Sequence, residues 1–322
     1  MIRHVAALAT ALLCALAPTA PATAQDWPAG TVRLIMPVAA GGPMDLPARL
    51  LADRLAAQTR GTFILEHRGG AGGSIAAQMV VQAPADGSTF LFTTSSLAAA
   101  PAFYPKLGFD PRQALVPISL ITETPNCLIV RAGHPIRDMA DLIAKARAQP
   151  GRYTFGSGGV GTLNHLAGEL LKKMAGIDLL HVPFRGVSLG MTALYAGDLD
   201  MIFSSAIEGL AHSRDGRARV LGVGTPARLP ELPDTPAIAE LLPGYVATNW
   251  YGLFAPRGLP GSVLSRLSSE IARMRDDPTL TQRTASAGLT MILSPPETLR
   301  AKLESEIPRW QRIVQDLGLK PE

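Results

Sequence analysis

Short apolar runs alternate with amphipathic segments along most of the chain. Residues 32–36, 63–66, 89–93, 153–156, 179–183, 201–204 and 220–224 are each a brief apolar-rich run bounded by Gly, Pro, Ser or Asp, the pattern of a buried strand. Between them apolar residues recur at helical spacing. Leu46, Leu50, Leu51 and Leu55 share one helix face, Leu166, Leu170 and Met174 another, and Leu299, Leu303, Ile307, Trp310, Val314 and Leu317 predict a long C-terminal helix. Strand and helix taking turns in this way predicts parallel α/β sheets. There is no internal repeat and no low-complexity segment after the N-terminal stretch.

Two apolar stretches break the rhythm. Residues 118–130 are long for one central strand and carry Pro125 in the middle, and residues 249–256 follow a Pro-rich segment ending at Pro243-Gly244. Both read as crossings between lobes, with the middle of the chain inserted into the rest. The predicted fold class is therefore α/β with two Rossmann-like lobes joined by two crossing strands, the type II-like Venus-flytrap plan. One lobe is expected to comprise residues 25–124 plus 249–322, and the inserted lobe residues 125–248.

The N-terminus stands apart from this pattern. Arg3 and His4 precede an apolar run over residues 5–17, and Ala22-Thr23-Ala24 supplies small residues before Gln25, so residues 1–24 read as a signal peptide cleaved after Ala24. The run is shorter than the roughly 20 residues of a membrane span, which predicts export to the periplasm without anchoring. A lipoprotein reading of Cys14 is disfavoured by Leu13, since a lipobox wants a small residue there. Cys127 is then the one thiol left, so no intramolecular disulfide is expected. It sits in a strand-like run, as a buried small hydrophobe or, alternatively, a reactive thiol.

Composition narrows the partners. Of 322 residues 47% are hydrophobic and 17% charged, enough apolar content for a globular core. Thirty Lys plus Arg against 26 Asp plus Glu leave a net charge of +4, scattered without a basic stripe, so nucleic acid is not an expected partner.

Candidate chemistry lies in the loops after the strands, where open α/β sheets bind ligands. Gly41-Gly42-Pro43-Met44-Asp45 follows the first strand, Arg68-Gly69-Gly70-Ala71-Gly72-Gly73-Ser74 the second, and Gly156-Ser157-Gly158-Gly159-Val160-Gly161-Thr162 leads into a helix carrying Asn164 and His165. Glycines let backbone N–H groups approach a ligand, and a helix N-terminus adds unpaired donors and a positive dipole end, which together suit an anion. Each loop alone also reads as a plain turn; their occurrence in both predicted lobes favours a site. Ser95 and Ser96 add hydroxyls. Arg185, in Phe184-Arg185-Gly186-Val187-Ser188, pairs with a carboxylate or is a solvated surface residue.

Other chemistries find less support. Gly156-x-Gly158-x-x-Gly161 with Asp178 has dinucleotide-fingerprint spacing, but the acid precedes the next strand and nicotinamide cofactors are not expected outside the cytoplasm. Gly156-Ser157-Gly158 lacks the serine-elbow spacing, and His67, His134, His165, His181 and His212 are scattered, with no His-x-x-x-His or Cys-x-x-Cys pair. No cofactor, metal or catalytic residue is expected. His165 is either a locally bonded helix residue or a ligand donor.

Several ordered motifs carry a family resemblance: Arg33-Leu34-Ile35 into Pro37, Gly41-Gly42 with Asp45, Glu66-His67-Arg68, and Ala83-Pro84-Ala85-Asp86-Gly87. They continue with Tyr104-Pro105-Lys106-Leu107, Phe109-Asp110-Pro111, His165-Leu166-Ala167-Gly168-Glu169-Leu170, His181-Val182-Pro183-Phe184-Arg185-Gly186, Leu232-Pro233-Asp234-Thr235-Pro236 and Trp250-Tyr251-Gly252-Leu253-Phe254-Ala255-Pro256. From about Trp27 to the C-terminus the chain resembles the Bug-type solute-binding proteins, the periplasmic receptors of tripartite tricarboxylate transporters.

The resemblance implies a monomeric receptor, not an enzyme, that closes on a small organic carboxylate and hands it to transporter membrane subunits. A sensory receptor for a membrane kinase, or less readily a periplasmic enzyme, is the alternative. Carried over by position, the ligand-binding residues are Gly42, Met44, Asp45, Gly73, Ser74, Ser95, Gly158, Thr162, His165, Arg185, Ser204 and Ser205, with Asp45 favoured as a helix cap. Two departures bear on the ligand. Pro43-Met44 replaces a Gly-Thr of many relatives, which predicts a less polar pocket there. Ser204-Ser205 replaces Asp-Asn, removing an acid that would balance an amino group, so the expected guest is a neutral-bodied or aromatic mono- or dicarboxylate, not an amino acid.

Overall fold

The computed structural model describes residues 27–104, 106–286 and 289–319, so the expected signal peptide lies outside the described residues. Strands β1 (Thr31–Met36), β2 (Thr62–His67) and β3 (Thr89–Thr94) form one parallel set in the order β2-β1-β3. A second parallel set, made by β5 (Thr154–Ser157), β6 (Leu180–Pro183) and β7 (Met201–Ser205), runs β7-β5-β6. Two long strands join them, β4 (Leu115–Arg131) and β9 (Thr248–Pro256), and β8 (Ala218–Val223) pairs with β4. These pairings are antiparallel, so the sheets are parallel only where helices connect the strands.

The stretch that looked too long for one strand is one strand with two sets of partners. Residues 115–125 of β4 pair with β9, the last pair being Pro125 with Thr248, and from Asn126 onward its partners are β7 and β8. Pro125 stands where the pairing changes hands, a position where a missing N–H is tolerated.

Apart from the edge strands β2 and β6, the strands of each set are buried on both faces, which explains the unbroken apolar runs. In the first lobe Leu34, Met36, Phe90 and Phe92 face one cluster with Leu50, Leu51 and Leu55 of α1 (Asp45–Thr59). Ile35 and Leu91 face the other. Leu46, at the start of α1, is 38% exposed, and the buried face begins with Pro47 and Ala48 beside it. In the second lobe Leu128, Val130, Met201 and Phe203 point to one side, and Cys127, Ile129 and Ile202 to the other. Cys127 is fully buried, and burial pushes its thiol pKa far up, so it is an inert core residue.

Helices follow the strands at the ends that matter for function. After α1 come α2 (Ser74–Val81), α3 (Ser96–Phe103), the single turn α4 (Pro111–Ala114) and α5 (Met139–Ala148). The second lobe adds α6 (Leu163–Ala175), α7 (Val187–Ala196) and α8 (Ala206–Arg214). The chain then returns through α9 (Gly261–Arg273) and α10 (Pro278–Ser286) to the long α11 (Pro296–Asp316). α11 buries Leu299, Leu303, Ile307, Trp310 and Val314 against the first lobe, as its spacing predicts. No helix of the described residues is long and apolar enough to cross a membrane.

Candidate functional site

A cavity of about 600 Å³ lies between the lobes, within the size range of small-molecule sites. Its floor carries Thr94 at the end of β3, Ser96 at the start of α3 and Asn249 at the start of β9. One wall is Pro37, Val38 and the glycine-rich loop 69–73; the other is the 158–162 loop, Asn164, and residues 183–187 after β6. α2, α3, α6 and α7 all begin at this lining, through Gly73, Ser96, Thr162 and Gly186. The positive ends of four helix dipoles therefore lie at one space, although some of the first N–H groups are already taken, Ser96 by Thr94 Oγ1 and His165 by Thr162 Oγ1. Arg185 is the one charged side chain among the lining residues, is exposed, and has no carboxylate partner among the described residues.

Neutral side chains complete the surface. Asn249 Oδ1 accepts from Ser95 Oγ at 2.7 Å and from the N–H of Trp250 at 2.9 Å, which leaves its NH2 group to offer the cavity. Asn164 is turned the other way round: its NH2 donates to Phe203 O at 2.9 Å and Asn126 Oδ1 at 3.2 Å, leaving its oxygen as an acceptor. Ile75, Val160, Phe184, Val187 and the Tyr104 ring supply apolar area.

Of the residues marked from sequence, Gly73, Gly158, Thr162 and Arg185 line the cavity. Thr162 also caps α6, its hydroxyl accepting from the N–H of His165 at 3.4 Å. The other marked residues stand behind or beside the wall. Gly42 lies against Ser188 at the rim. Met44 is 2% exposed in the first-lobe core, so its replacement of a hydroxyl residue changes packing, not the polarity of the lining. Asp45 is the first helical residue and not the cap itself; its carboxylate accepts from Gly41 N–H at 2.7 Å and holds the loop in place. Ser74 starts α2 with its hydroxyl buried and without a hydrogen-bond partner among the described residues. Ser95 positions Asn249. Ser204 donates to Glu208, and Ser205 caps α8, so neither reaches the lining.

His165 turns into the core. Its ring stacks on His181 at 4.2 Å, its Nδ1 accepts from Gly161 N–H at 3.3 Å, and it is 6% exposed. Burial drives its pKa down to about 3, helped by His181 and Lys172, and burial drives His181 to about 4. Both rings are thus neutral near pH 7 and act as packing and hydrogen-bonding supports. His181 Nε2 meets Ser157 Oγ at 2.7 Å, and Ser157 Oγ accepts from Gly159 N–H at 3.1 Å, so the pair props the 158–162 loop from behind. That serine is wholly buried and does not line the cavity, which removes it as a nucleophile. No cluster of three or more metal-ligating side chains exists among the described residues.

Sequence reasoning missed Thr94, Tyr104, Asn164 and Asn249 as lining residues. Asn164 had a readable signal. Adjacent helical residues point about 100° apart, so the more apolar ring of His165 taking the core face leaves Asn164 the open one.

A family model described as the tripartite tricarboxylate transporter family receptor matches residues 47–319. The chain belongs to this receptor family. It is 35% identical over 295 residues to the UPF0065 protein in the tcbD-tcbE intergenic region of Pseudomonas sp. strain P51, a match spanning 91% of this chain and 88% of that one. Among solved structures, R. palustris Rpa4515 with adipate superposes with a TM-score of 0.88 at 32% identity, covering 92% of this chain and 100% of the other. The periplasmic binding protein BugD superposes equally well, at 0.88 and 28% identity, with 92% and 100% covered. The two-lobed, Bug-type receptor fold expected from the motifs is the fold of these relatives.

Proposed function

We propose that this chain is an exported periplasmic receptor that closes on a small organic carboxylate lacking an amino group and delivers it to the membrane subunits of a tripartite transporter. Residues 1–24 serve as the signal peptide, and the mature chain works as a monomer without cofactor and without turnover. The observation that carries the reading is the lining itself: four helix N-termini and Arg185 converge on a cavity among whose lining residues no carboxylate stands. Such a field favours an anion, and a buried ammonium group would find no counter-charge. Apolar area from Ile75, Val160 and Phe184 suits a hydrocarbon or aromatic body. The lobes divide at 124/125 and 248/249, a reading supported by the change of partners along β4.

Adipate in the similar R. palustris structure supports the substrate class. The test is a thermal-shift panel on protein unfolded and refolded to strip carried-over ligand, with aliphatic and aromatic mono- and dicarboxylates and amino acids. At about a hundred times its Kd a ligand adds roughly 2.7 kcal/mol of stability, which the assay resolves. Stabilisation by carboxylates and not by amino acids is the expected result; the strongest shift coming from an amino acid, or no shift from any carboxylate, would overturn the reading.

A further inference from the structure

Around the cavity the lobes meet at the floor, along a seam and at a lip, and the contacts differ in kind; behind the floor Ile207 of α8 also packs on the first-lobe core. At the floor they are joined covalently by β4 and β9. Where α3 ends, the contact is apolar and continuous. Leu163 and Leu166 of α6 are buried in the same cluster as Leu97, Phe103 and Trp310. The Phe103 ring lies 5.6 Å from that of His165, and Tyr104 donates its hydroxyl to Val160 O at 3.1 Å. Further along, Lys173 Nζ donates to Asp316 O at 2.6 Å. Gly72, at φ 58°, makes the approach feasible, because a Cβ there would stand 3.0 Å from Val160 O and 3.1 Å from the Tyr104 ring.

The third contact is a lip formed by residues 39–42 and 185–188. There a Cβ on Gly42 would lie 3.4 Å from Ser188 Oγ, and one on Gly186 3.5 Å from Ala39 N, with no hydrogen bond or ion pair across the lip among the described residues. Parting the seam at α3 and α6 exposes Leu163, Leu166 and Phe103 to water, whereas parting the lip exposes glycines, alanines, Ser188, the already part-exposed Val187 and the exposed Arg185. A body tethered at two places turns about the line through them, so motion concentrates at the third.

We infer that the cavity opens at this lip while the seam stays shut, with Tyr104 the positioning residue that fixes the seam. The inference rests on the cavity being the ligand site, and it gives Arg185 a further part, since a carboxylate entering at the lip meets the guanidinium first. Opening is thus one-sided, and the ligand-free protein keeps much of its lobe contact.

Distances between spin labels on ligand-stripped protein test this without a ligand, so an empty carboxylate panel leaves the result standing. Ala40→Cys with Leu189→Cys reports the lip, and Asp178→Cys with Gln315→Cys the seam; all four positions are exposed, and the buried Cys127 escapes labelling. The expected result is a broad, lengthened lip distribution beside a narrow seam distribution. Tyr104→Phe, which keeps the ring and removes only the hydroxyl, is expected to widen the seam distribution. A seam that widens together with the lip, or two narrow distributions, would overturn one-sided opening. A seam unmoved by Tyr104→Phe would overturn the role of the hydroxyl.

Discussion

The loops after β2 and β6 face the same cavity, and each follows or contains an arginine, yet the two arginines end differently. Arg68 and Arg33 are both tied to Glu66, so the first lobe's cations neutralise their own carboxylate beside the sheet. Arg185 has no such partner among the described residues and lines the cavity. The first lobe thus offers backbone and glycine shape, through residues 69–73, and the second lobe offers charge. On the proposed function, a ligand anion would be recognised by what one wall has left unpaired, not by the number of basic residues nearby.

The largest expected effect separates these two arginines. Arg185→Gln should weaken binding of a carboxylate ligand by about 10- to 100-fold in calorimetry, the range for a lost charge-assisted hydrogen bond, while Arg68→Gln should stay within about twofold. Because Arg185 is exposed, its replacement should shift unfolding free energy by less than about 0.5 kcal/mol. Equal losses from both variants would erase the distinction between the walls.

Next comes the shape side of the comparison. Gly72→Ala places a Cβ 3.0 Å from Val160 O in a left-handed backbone conformation, at φ 58°. It should cost about 1–2 kcal/mol of stability by chemical denaturation and weaken ligand binding about tenfold by prising the seam apart at the cavity wall. Gly73, also on this wall, would then be worth testing in the same way.

The supports behind the charged wall give a smaller, pH-dependent effect. His165 and His181 take up protons in the unfolded chain near the ordinary value of 6.5 but in the folded protein only near about 3 and about 4. Their folded pKa values are depressed, so stability is full above pH 6.5 and falls as pH drops toward those values, with the unfolded state binding more protons. Between pH 6.5 and 5, above the range of ordinary carboxylates, the slope from His165 should approach about 1.4 kcal/mol per pH unit at its steepest. His165→Gln should flatten it. A slope unchanged in that variant would place the pH dependence elsewhere.

Smallest is the floor. Ser95→Ala removes the hydroxyl that holds Asn249 Oδ1 at 2.7 Å. A loss of about 1 kcal/mol in stability is expected, with a modest loss of affinity as Asn249 reorients.

Much of this frame was legible in the sequence, because strand runs and helix phases are local. The seven short strands appear within one or two residues of their apolar runs, and α11 buries its predicted stripe except Leu317, which stands just past the helix end and is only partly buried. Antiparallel crossing was not legible, since direction depends on how distant segments pair. The lining of the candidate site was legible as loops more than as side chains. Gly158, Thr162 and Arg185 needed only their place after a strand, but Met44 and Ser204 required knowing which neighbour each side chain packs on. Asn249 and Tyr104 enter the lining from the crossing strand and the end of a helix, through contacts fixed only when the lobes meet.

The most direct test of a cavity built for anions and without a counter-charge for ammonium compares two ligands that differ by one group. Calorimetry at pH 7 would set the carboxylate giving the largest thermal shift against its own 2-amino derivative. An unpaired ammonium in this lining should weaken binding by more than about 100-fold. Equal or tighter binding of the amino derivative would contradict the assignment of the cavity as a receptor site for carboxylates that carry no amino group.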